Sequence, residues 1–230
     1  MKAAIVTGAS SGIGLELCRV LSERSYKVYG LGRDFSKTGI RSEGFQPVVC
    51  DVTELSDLAG KVDTILSQEE VHILVNNAGV GYFGPHEEIN PQKLHAMVAT
   101  NLEAPLVLTQ LLLRQLKRNK GYIFNISSVT AGKTNTHGCA YGATKAGLTS
   151  FSNSLFEEVR KYGVKVIAIH PDMTKTNFYR NADFCEGALE DTYILPEEVA
   201  EAVGFILDRR EGMLISDITL KPQKHQIRRK

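Results

Sequence analysis

The chain has 230 residues, of which 43% are hydrophobic and 23% charged, and its formal net charge is +1. These values fit a single soluble domain with a sizeable core, and the low charge argues against a nucleic-acid partner. Short apolar runs and a brief N-terminal segment predict neither a membrane span nor a signal peptide, so we expect a cytoplasmic protein.

The first predicted unit is a strand, a glycine turn and an amphipathic helix. An apolar run at residues 3–6 leads into a turn with the spacing G-x-x-x-G-x-G, and apolar residues then follow at helical spacing. Glycine lets a backbone approach a pyrophosphate closely, and a helix start offers free N–H groups and a positive dipole end. An ordinary tight turn is the alternative. The predicted phosphate-binding residues are Gly8, Ser10, Ser11, Gly12, Ile13 and Gly14.

Short β-like runs alternate with helical patterns along the rest of the chain. The predicted strands are residues 3–6, 27–32, 47–52, 72–76, 121–127, 165–170 and 214–220. The predicted helices are residues 12–24, 54–68, 91–117, 141–161 and 196–208. This alternation predicts one α/β domain over residues 1–222, a parallel sheet with helices on both faces. The basic residues 223–230 are expected to form a frayed tail, with a binding role as the alternative.

Tyr141 and Lys145 are four residues apart, which is about one helical turn, so both lie on one helix face. A phenol normally ionises near pH 10, and a lysine beside it lowers the cost of the phenolate. Ser128 precedes Tyr141 by thirteen residues. Because surface helices carry Tyr-x-x-x-Lys by chance, the pair gains weight only together with the glycine turn.

Taken together, these motifs resemble the short-chain dehydrogenase/reductase family. The resemblance implies a Rossmann-type, doubly wound domain whose seven-stranded parallel sheet has the order 3-2-1-4-5-6-7. It also implies a nicotinamide cofactor and carbonyl/alcohol redox chemistry, with the cofactor in the crevice where the strand order reverses. The matching pieces are residues 7–14, Asp51-Val52, Asn76-Asn77-Ala78-Gly79, Asn101, Ser128, Tyr141, Lys145 and Pro171.

The end of the second predicted strand bears on which cofactor binds. Folds that prefer NAD usually place a carboxylate there for the ribose 2′-OH, whereas this chain has Gly32 followed by Arg33. An arginine pairs with a 2′-phosphate by a charge-assisted contact, so NADP(H) is favoured over NAD(H). In the alternative, Asp34 is the acid and Arg33 points into solvent, which requires a strand that ends two residues later.

The resemblance also assigns residues to the rest of the cofactor. Asp51 and Val52 would hold the adenine, and Thr176 would bond the nicotinamide carboxamide. Backbone close to the ribose would come from Asn77, Ala78 and Gly79, with Pro171 after the sixth strand, while Asn76 would brace the sheet.

By the same resemblance, Tyr141 is the general acid or base and Lys145 bonds the nicotinamide ribose and lowers the pKa of Tyr141. Ser128 would hold the substrate oxygen, with Ser127 structural. Asn101 would hold a water through its carbonyl, because Pro105 has no N–H to donate in the fourth position along the helix. A plain proline kink is the alternative.

Several points stay open in the sequence. The family usually has Pro-Gly after its sixth strand, whereas this chain has Pro171-Asp172. Residues 133–138 and 177–194 should set the substrate, which they do not identify. The alternatives to a reductase are a non-catalytic NADP(H)-binding sensor or partner-binding protein, and a sugar epimerase or dehydratase. Family members often pair through two long helices, so a homodimer or homotetramer is expected. No metal is predicted, because the four cysteines form no ligand motif.

Overall fold

Seven parallel strands form the central sheet of the computed structural model, which describes residues 1–39 and 44–230. Their order is β3-β2-β1-β4-β5-β6-β8, so the predicted order is confirmed, with β8 as the seventh strand of this sheet. The strands are β1 (Ala3–Thr7), β2 (Lys27–Gly32), β3 (Phe45–Val49), β4 (Val71–Asn76), β5 (Tyr122–Ile126), β6 (Lys165–Pro171) and β8 (Asp217–Leu220).

Helices cover both faces of this sheet, as a doubly wound fold requires. Helices α1 (Gly12–Glu23) and α6 (Pro196–Leu207) pack on one face around Leu17, Leu21 and Val203. The opposite face carries α2 (Leu55–Gln68), α4 (Ala104–Asn119) and α5 (Cys139–Val159). The Rossmann-type α/β prediction therefore holds for the sheet and for both helical layers.

A polar contact crosses the middle of the otherwise apolar sheet. Asn76 at the end of β4 donates from Nδ2 to Asn125 Oδ1 on β5 at 2.8 Å, and Asn125 donates to Ser152 Oγ at 2.7 Å. Ser152 in turn donates to the Leu148 carbonyl. The bracing role expected of Asn76 is thus visible as a buried hydrogen-bond chain from the sheet to α5.

Strand β3 ends three residues before its predicted limit. Residues 51–52 leave the sheet because the Asp51 carboxylate accepts from both the backbone N–H and the hydroxyl of Thr53, which turns the chain toward α2. The side-chain hydrogen bonds of this turn replace the backbone hydrogen bonds that a longer β3 would make with β2.

The predicted helix over residues 91–117 is interrupted. It consists of α3 (Pro91–Val98), a π-helical turn (Ala99–Glu103) and α4, with Pro105 in the first turn of α4. Proline cannot donate to the carbonyl four residues earlier, and a wider turn accommodates the lost bond.

The stretch Pro91–Asn119 is also long and apolar enough to cross a membrane by length and composition, contrary to the sequence expectation. Half of its most apolar window is buried, and Leu108, Leu112 and Leu116 of α4 pack into the core against the sheet. This is the pattern of a core helix of a soluble fold.

The tail at residues 223–230 is not frayed. Its residues Ile227–Arg229 form β9, which pairs antiparallel with β7 (Phe184–Glu186) in a second, two-stranded sheet. The expectation was wrong because the polar composition of the tail does not reveal backbone partners that lie about forty residues away in sequence.

Candidate active site

The glycine turn between β1 and α1 is built for close backbone approach. Gly8 and Gly12 have φ angles of +65° and +56°, which side chains strain to adopt. A side-chain carbon at Gly14 would lie 2.2 Å from the Gly8 carbonyl oxygen, so Gly14 packs beneath the turn. Helix α1 starts at Gly12, and its first turn contains no acidic residue. This cradle fits a pyrophosphate, because free N–H groups and a helix dipole face one point.

The predicted site residues come together along one cleft of about 320 Å³ at the carboxyl ends of the strands. Two of the predicted residues, Gly14 and Asn101, do not line the cleft but pack behind the residues that do. Those that line the cleft are Gly8, Ser10, Ser11, Gly12, Ile13, Arg33, Asp51, Val52, Asn77, Ala78, Gly79, Ser128, Tyr141, Lys145, Pro171 and Thr176.

Thr7, the first residue of the glycine-turn motif, was given no role from the sequence, and it connects the glycine turn to the loop after β4. Its buried hydroxyl accepts from the N–H groups of Asn77 and Ala78, both at 2.9 Å. Asn77 Nδ2 donates back to the Thr7 carbonyl at 2.9 Å. A hydroxyl residue at the end of a strand, directly before the first glycine, was the available signal. The two loops that flank the cleft are therefore one rigid unit.

The end of β2 bears on the two interpretations of Arg33 and Asp34. Strand β2 ends at Gly32, as predicted, and the exposed Arg33 lines the cleft. The Asp34 carboxylate instead accepts from the N–H and the hydroxyl of Ser36, at 2.8 and 3.0 Å, and the backbone N–H bond lowers its pKa most. Asp34 thus caps a turn with its own oxygens, and it lines the cleft beside Arg33.

Asp51 lies on the same side of the cleft. Burial raises the pKa of this carboxyl, but the bonds from Thr53 and the charge of Arg33 outweigh burial and leave the pKa lowered. Asp51 is therefore an ionised acceptor at neutral pH.

Tyr141 lies on α5 and is almost completely buried, with 8% of its surface exposed. Burial raises the pKa of the phenol above its ordinary value, and a contact with Ser128 opposes this only in part. This direction is opposite to the one expected from Lys145, whose Nζ lies 5.8 Å from the Tyr141 ring centroid. The phenol is therefore held protonated, which is the form that can donate a proton.

Lys145 lies one turn further along α5 and is also buried. Its Nζ donates to the Ile126 carbonyl at the end of β5 at 2.8 Å, and burial lowers its pKa to about 8. A side-chain carbon at Gly79 would lie 3.7 Å from this Nζ, so the loop after β4 lies beside the lysine. The backbone carbonyl of Lys145 accepts from Ser127, which gives Ser127 the structural role expected of it.

We expect the buried ammonium group of Lys145 to make stability rise with pH. Its pKa is about 8 in the folded chain against an ordinary value of 10.5, so the unfolded chain binds more protons between these values. Unfolding free energy should therefore increase from pH 8 toward pH 10.5, by about 1–3 kcal/mol. In urea titrations the unfolding free energy of the wild type should rise relative to that of Lys145→Met over this range, because other groups that titrate there, such as Cys18, are common to both proteins. Parallel curves for the two proteins would contradict the assignment.

Asn101 lies in the π-helical turn and holds the loop after β4. Its side chain accepts from the Val80 N–H at 2.8 Å, and donates to the Val80 carbonyl at 2.9 Å and to Thr144 Oγ1 at 3.1 Å. This clamp joins the turn to α5 beside Lys145. The sequence analysis identified Asn101 but not this side-chain role.

Ser128 begins the loop after β5 and faces Tyr141. Its hydroxyl accepts from the N–H and the hydroxyl of Thr130, which orients the Ser128 oxygen. Its carbonyl contacts His170 Nδ1, whose other ring nitrogen lies 3.1 Å from Asp217. His170 thus supports this loop from β6.

Asp172, the departure from the family pattern, lines the cleft beside Pro171. Its Oδ1 accepts from the Met173 N–H at 2.9 Å, and Lys133 lies 3.9 Å from Oδ2. The carboxylate therefore connects the loop after β6 to Lys133, in the 133–138 segment that was expected to contact substrate.

Comparison with known proteins agrees with this geometry. The family model for short chain dehydrogenases matches residues 2–184. An uncharacterized short-chain type dehydrogenase/reductase of Sinorhizobium fredii is 30% identical and covers 95% of this chain and 90% of that protein. A probable NADP-dependent dehydrogenase of Haemophilus influenzae is 28% identical, with coverages of 95% and 92%. The structure of a metagenomic short-chain oxidoreductase in complex with NADP is 29% identical, with a TM-score of 0.80 and coverages of 96% and 97%.

Proposed function

Because this chain belongs to the short-chain dehydrogenase/reductase family, we propose that it is an NADP(H)-dependent oxidoreductase that interconverts a carbonyl compound and a secondary alcohol. One observation carries the proposal: the buried phenol of Tyr141 and the oriented hydroxyl of Ser128 line the cleft together with Lys145. A non-catalytic sensor would not need this combination of groups at one point.

In this proposal each side chain has a distinct task. The reduced nicotinamide, when bound, supplies the hydride. Tyr141 donates its proton to the carbonyl oxygen, and Ser128 donates a hydrogen bond that strengthens as negative charge grows on that oxygen. Lys145, which is mainly protonated below its pKa of about 8, binds ribose hydroxyls and stabilises the phenolate left on Tyr141. In oxidation the tyrosine acts as the base.

We also propose that Asn101 holds a water through its backbone carbonyl and that this water connects Lys145 to solvent. Pro105 leaves its carbonyl without the usual donor four residues on, so this oxygen can bind a water next to Lys145. The side-chain clamp on Val80 fixes where that carbonyl points.

The test of the function is NADPH oxidation with a panel of ketones, aldehydes and 3-oxoacyl thioesters. Turnover with a carbonyl compound supports the proposal. Binding of NADPH without turnover across the panel would favour the sensor, and conversion of a nucleotide sugar without net change of coenzyme would favour the epimerase.

The proposed coenzyme preference is supported by Arg33, which lines the cleft directly after β2, whereas the neighbouring Asp34 carboxylate accepts two hydrogen bonds from Ser36. We expect Arg33→Ser to weaken NADPH binding about tenfold and to leave NADH binding nearly unchanged, because it removes a charge-assisted contact to the 2′-phosphate. Dissociation constants for both coenzymes measure this. Lys37→Ser is the matched control, since it removes the same charge from the same exposed loop. Equal losses for both coenzymes would contradict the assignment.

Assembly and location are also proposals. We propose a homodimer or homotetramer through the long helices, supported by the exposed Val98 and Leu106 on the α3–α4 segment. Light scattering would decide this, and a monomer mass would reject it. A cytoplasmic location is supported by four free cysteines among the described residues.

A further inference from the structure

Tyr141, the proposed acid, is one of five aromatic rings that form a closed circle. Tyr141 lies 5.5 Å from Phe83 and 5.6 Å from Phe178, measured between ring centroids. The circle continues from Phe178 to Tyr179 at 5.2 Å, to Phe184 at 5.3 Å and back to Phe83 at 5.2 Å. Tyr141, Phe178 and Tyr179 of this circle line the cleft, so a carbonyl group that reaches Tyr141 meets an aromatic surface.

The backbone of two loops also holds these rings together. Phe83 comes from the loop after β4, and Phe178, Tyr179 and Phe184 come from the segment between β6 and α6. At Gly81, a side-chain carbon would lie 2.8 Å from Phe83 and 2.9 Å from Phe178, so glycine lets the two loops meet. Offset and edge contacts of this kind favour planar apolar groups over flexible or charged ones.

The segment that carries three of these rings is tied down by the last residues of the chain. The Lys230 N–H donates to the Asp183 carbonyl at 2.8 Å, and its Nζ donates to the Tyr179 carbonyl at 2.6 Å. At the other end, the Lys224 N–H donates to the Asp191 carbonyl at 2.8 Å and its Nζ lies 2.7 Å from the Asp191 carboxylate. Between these ends, β9 pairs with β7.

We propose that β9 is a specificity-determining strap, which fixes the rings of residues 178–184 over Tyr141 and so selects carbonyl substrates that bear a planar, apolar group. The substrate class rests on the proposed function, whereas the strap does not. Residues 224–230 would thereby affect substrate specificity without contact to the reacting atoms, because they hold the aromatic residues 178–184 in position.

The strand register provides a matched pair of variants. Backbone groups of an antiparallel strand face the partner and face away in alternation. Because the Lys230 N–H faces Asp183, the Arg228 N–H also faces β7, whereas the Arg229 N–H points away. Proline is compatible with extended backbone at both positions and removes the N–H. Arg228→Pro therefore breaks the β7–β9 ladder, and Arg229→Pro leaves it intact.

The substrate arm compares trifluoroacetophenone with trifluoroacetone, which share the reactive ketone and differ by phenyl against methyl. We expect wild type and Arg229→Pro to prefer the phenyl ketone in kcat/KM by about tenfold or more, and Arg228→Pro to lose most of that preference through a higher KM. NADPH affinity should be the same in all three proteins. Equal preference in the two variants, or no preference in the wild type, overturns the proposed specificity.

Trypsin provides a second arm that does not depend on turnover. Arg180 is exposed and lies within the tied segment, so its cleavage reports local opening of that segment. Mass spectrometry should show cleavage after Arg180 about fivefold faster or more in Arg228→Pro, and unchanged in Arg229→Pro. The phenyl ketone should slow this cleavage in the wild type. Equal cleavage rates overturn the strap. Slower cleavage with the phenyl ketone but no NADPH oxidation would reject the proposed function and retain the strap.

Discussion

Replacement of Tyr141 by phenylalanine is expected to lower kcat for carbonyl reduction by about 10²- to 10⁴-fold, which is the usual contribution of a well-placed general acid. The variant keeps the ring and its contacts with Phe83 and Phe178, and it loses only the hydroxyl. NADPH affinity and thermal stability should therefore stay close to those of the wild type. Stopped-flow NADPH oxidation and fluorescence titration measure the two properties separately.

Tyr162→Phe is the control for loss of a phenol, because Tyr162 is exposed and lies after the end of α5. Its kinetics should match those of the wild type. Retention of wild-type turnover in Tyr141→Phe would remove the general acid from the proposal.

Gly14→Ala is expected to lower the unfolding free energy and Gly60→Ala to raise it, although both glycines lie in helices. An alanine carbon at position 14 would lie 2.2 Å from the Gly8 oxygen and 2.5 Å from Asn77 Nδ2, so the glycine turn must move. We expect a loss of about 1–3 kcal/mol or more in unfolding free energy, with weakened NADPH binding. Gly60 is exposed on α2 with open space around it, so alanine there should add about 0.5–1 kcal/mol. Urea unfolding of both variants tests the contrast, and stabilisation by Gly14→Ala would contradict it.

The sheet and the cleft were largely predictable because their physics is local. Each strand is a short apolar run next to a helical pattern, and the parallel order follows from that alternation together with the family resemblance. The glycine turn, Ser128, Tyr141 and Lys145 carry spacings that only one arrangement satisfies. Even the end of β2 at Gly32 was placed correctly, and this matters because the distinction between Arg33 and Asp34 depends on it.

What could not be predicted depends on contacts between distant residues. Strands β7 and β9 have three residues each and pair across forty positions, so neither shows a periodic pattern. Burial raises the pKa of Tyr141. The sequence spacing between Tyr141 and Lys145 gives no information about how deeply the phenol is buried. The π-helical turn before Pro105 could not be predicted either. A proline indicates that a helix is interrupted or bent, but it does not determine which kind of turn results.

The amide pair between Asn76 and Asn125 has a consequence for how the sheet aligns itself. Strands β4 and β5 are buried on both faces, so sliding one past the other by a residue would still bury apolar side chains. It would, however, send each amide into hydrocarbon without its counterpart, at a cost of about 1–3 kcal/mol per group. The two amides thus favour the correct register of β4 and β5. These strands lead directly into the loops that line the cleft.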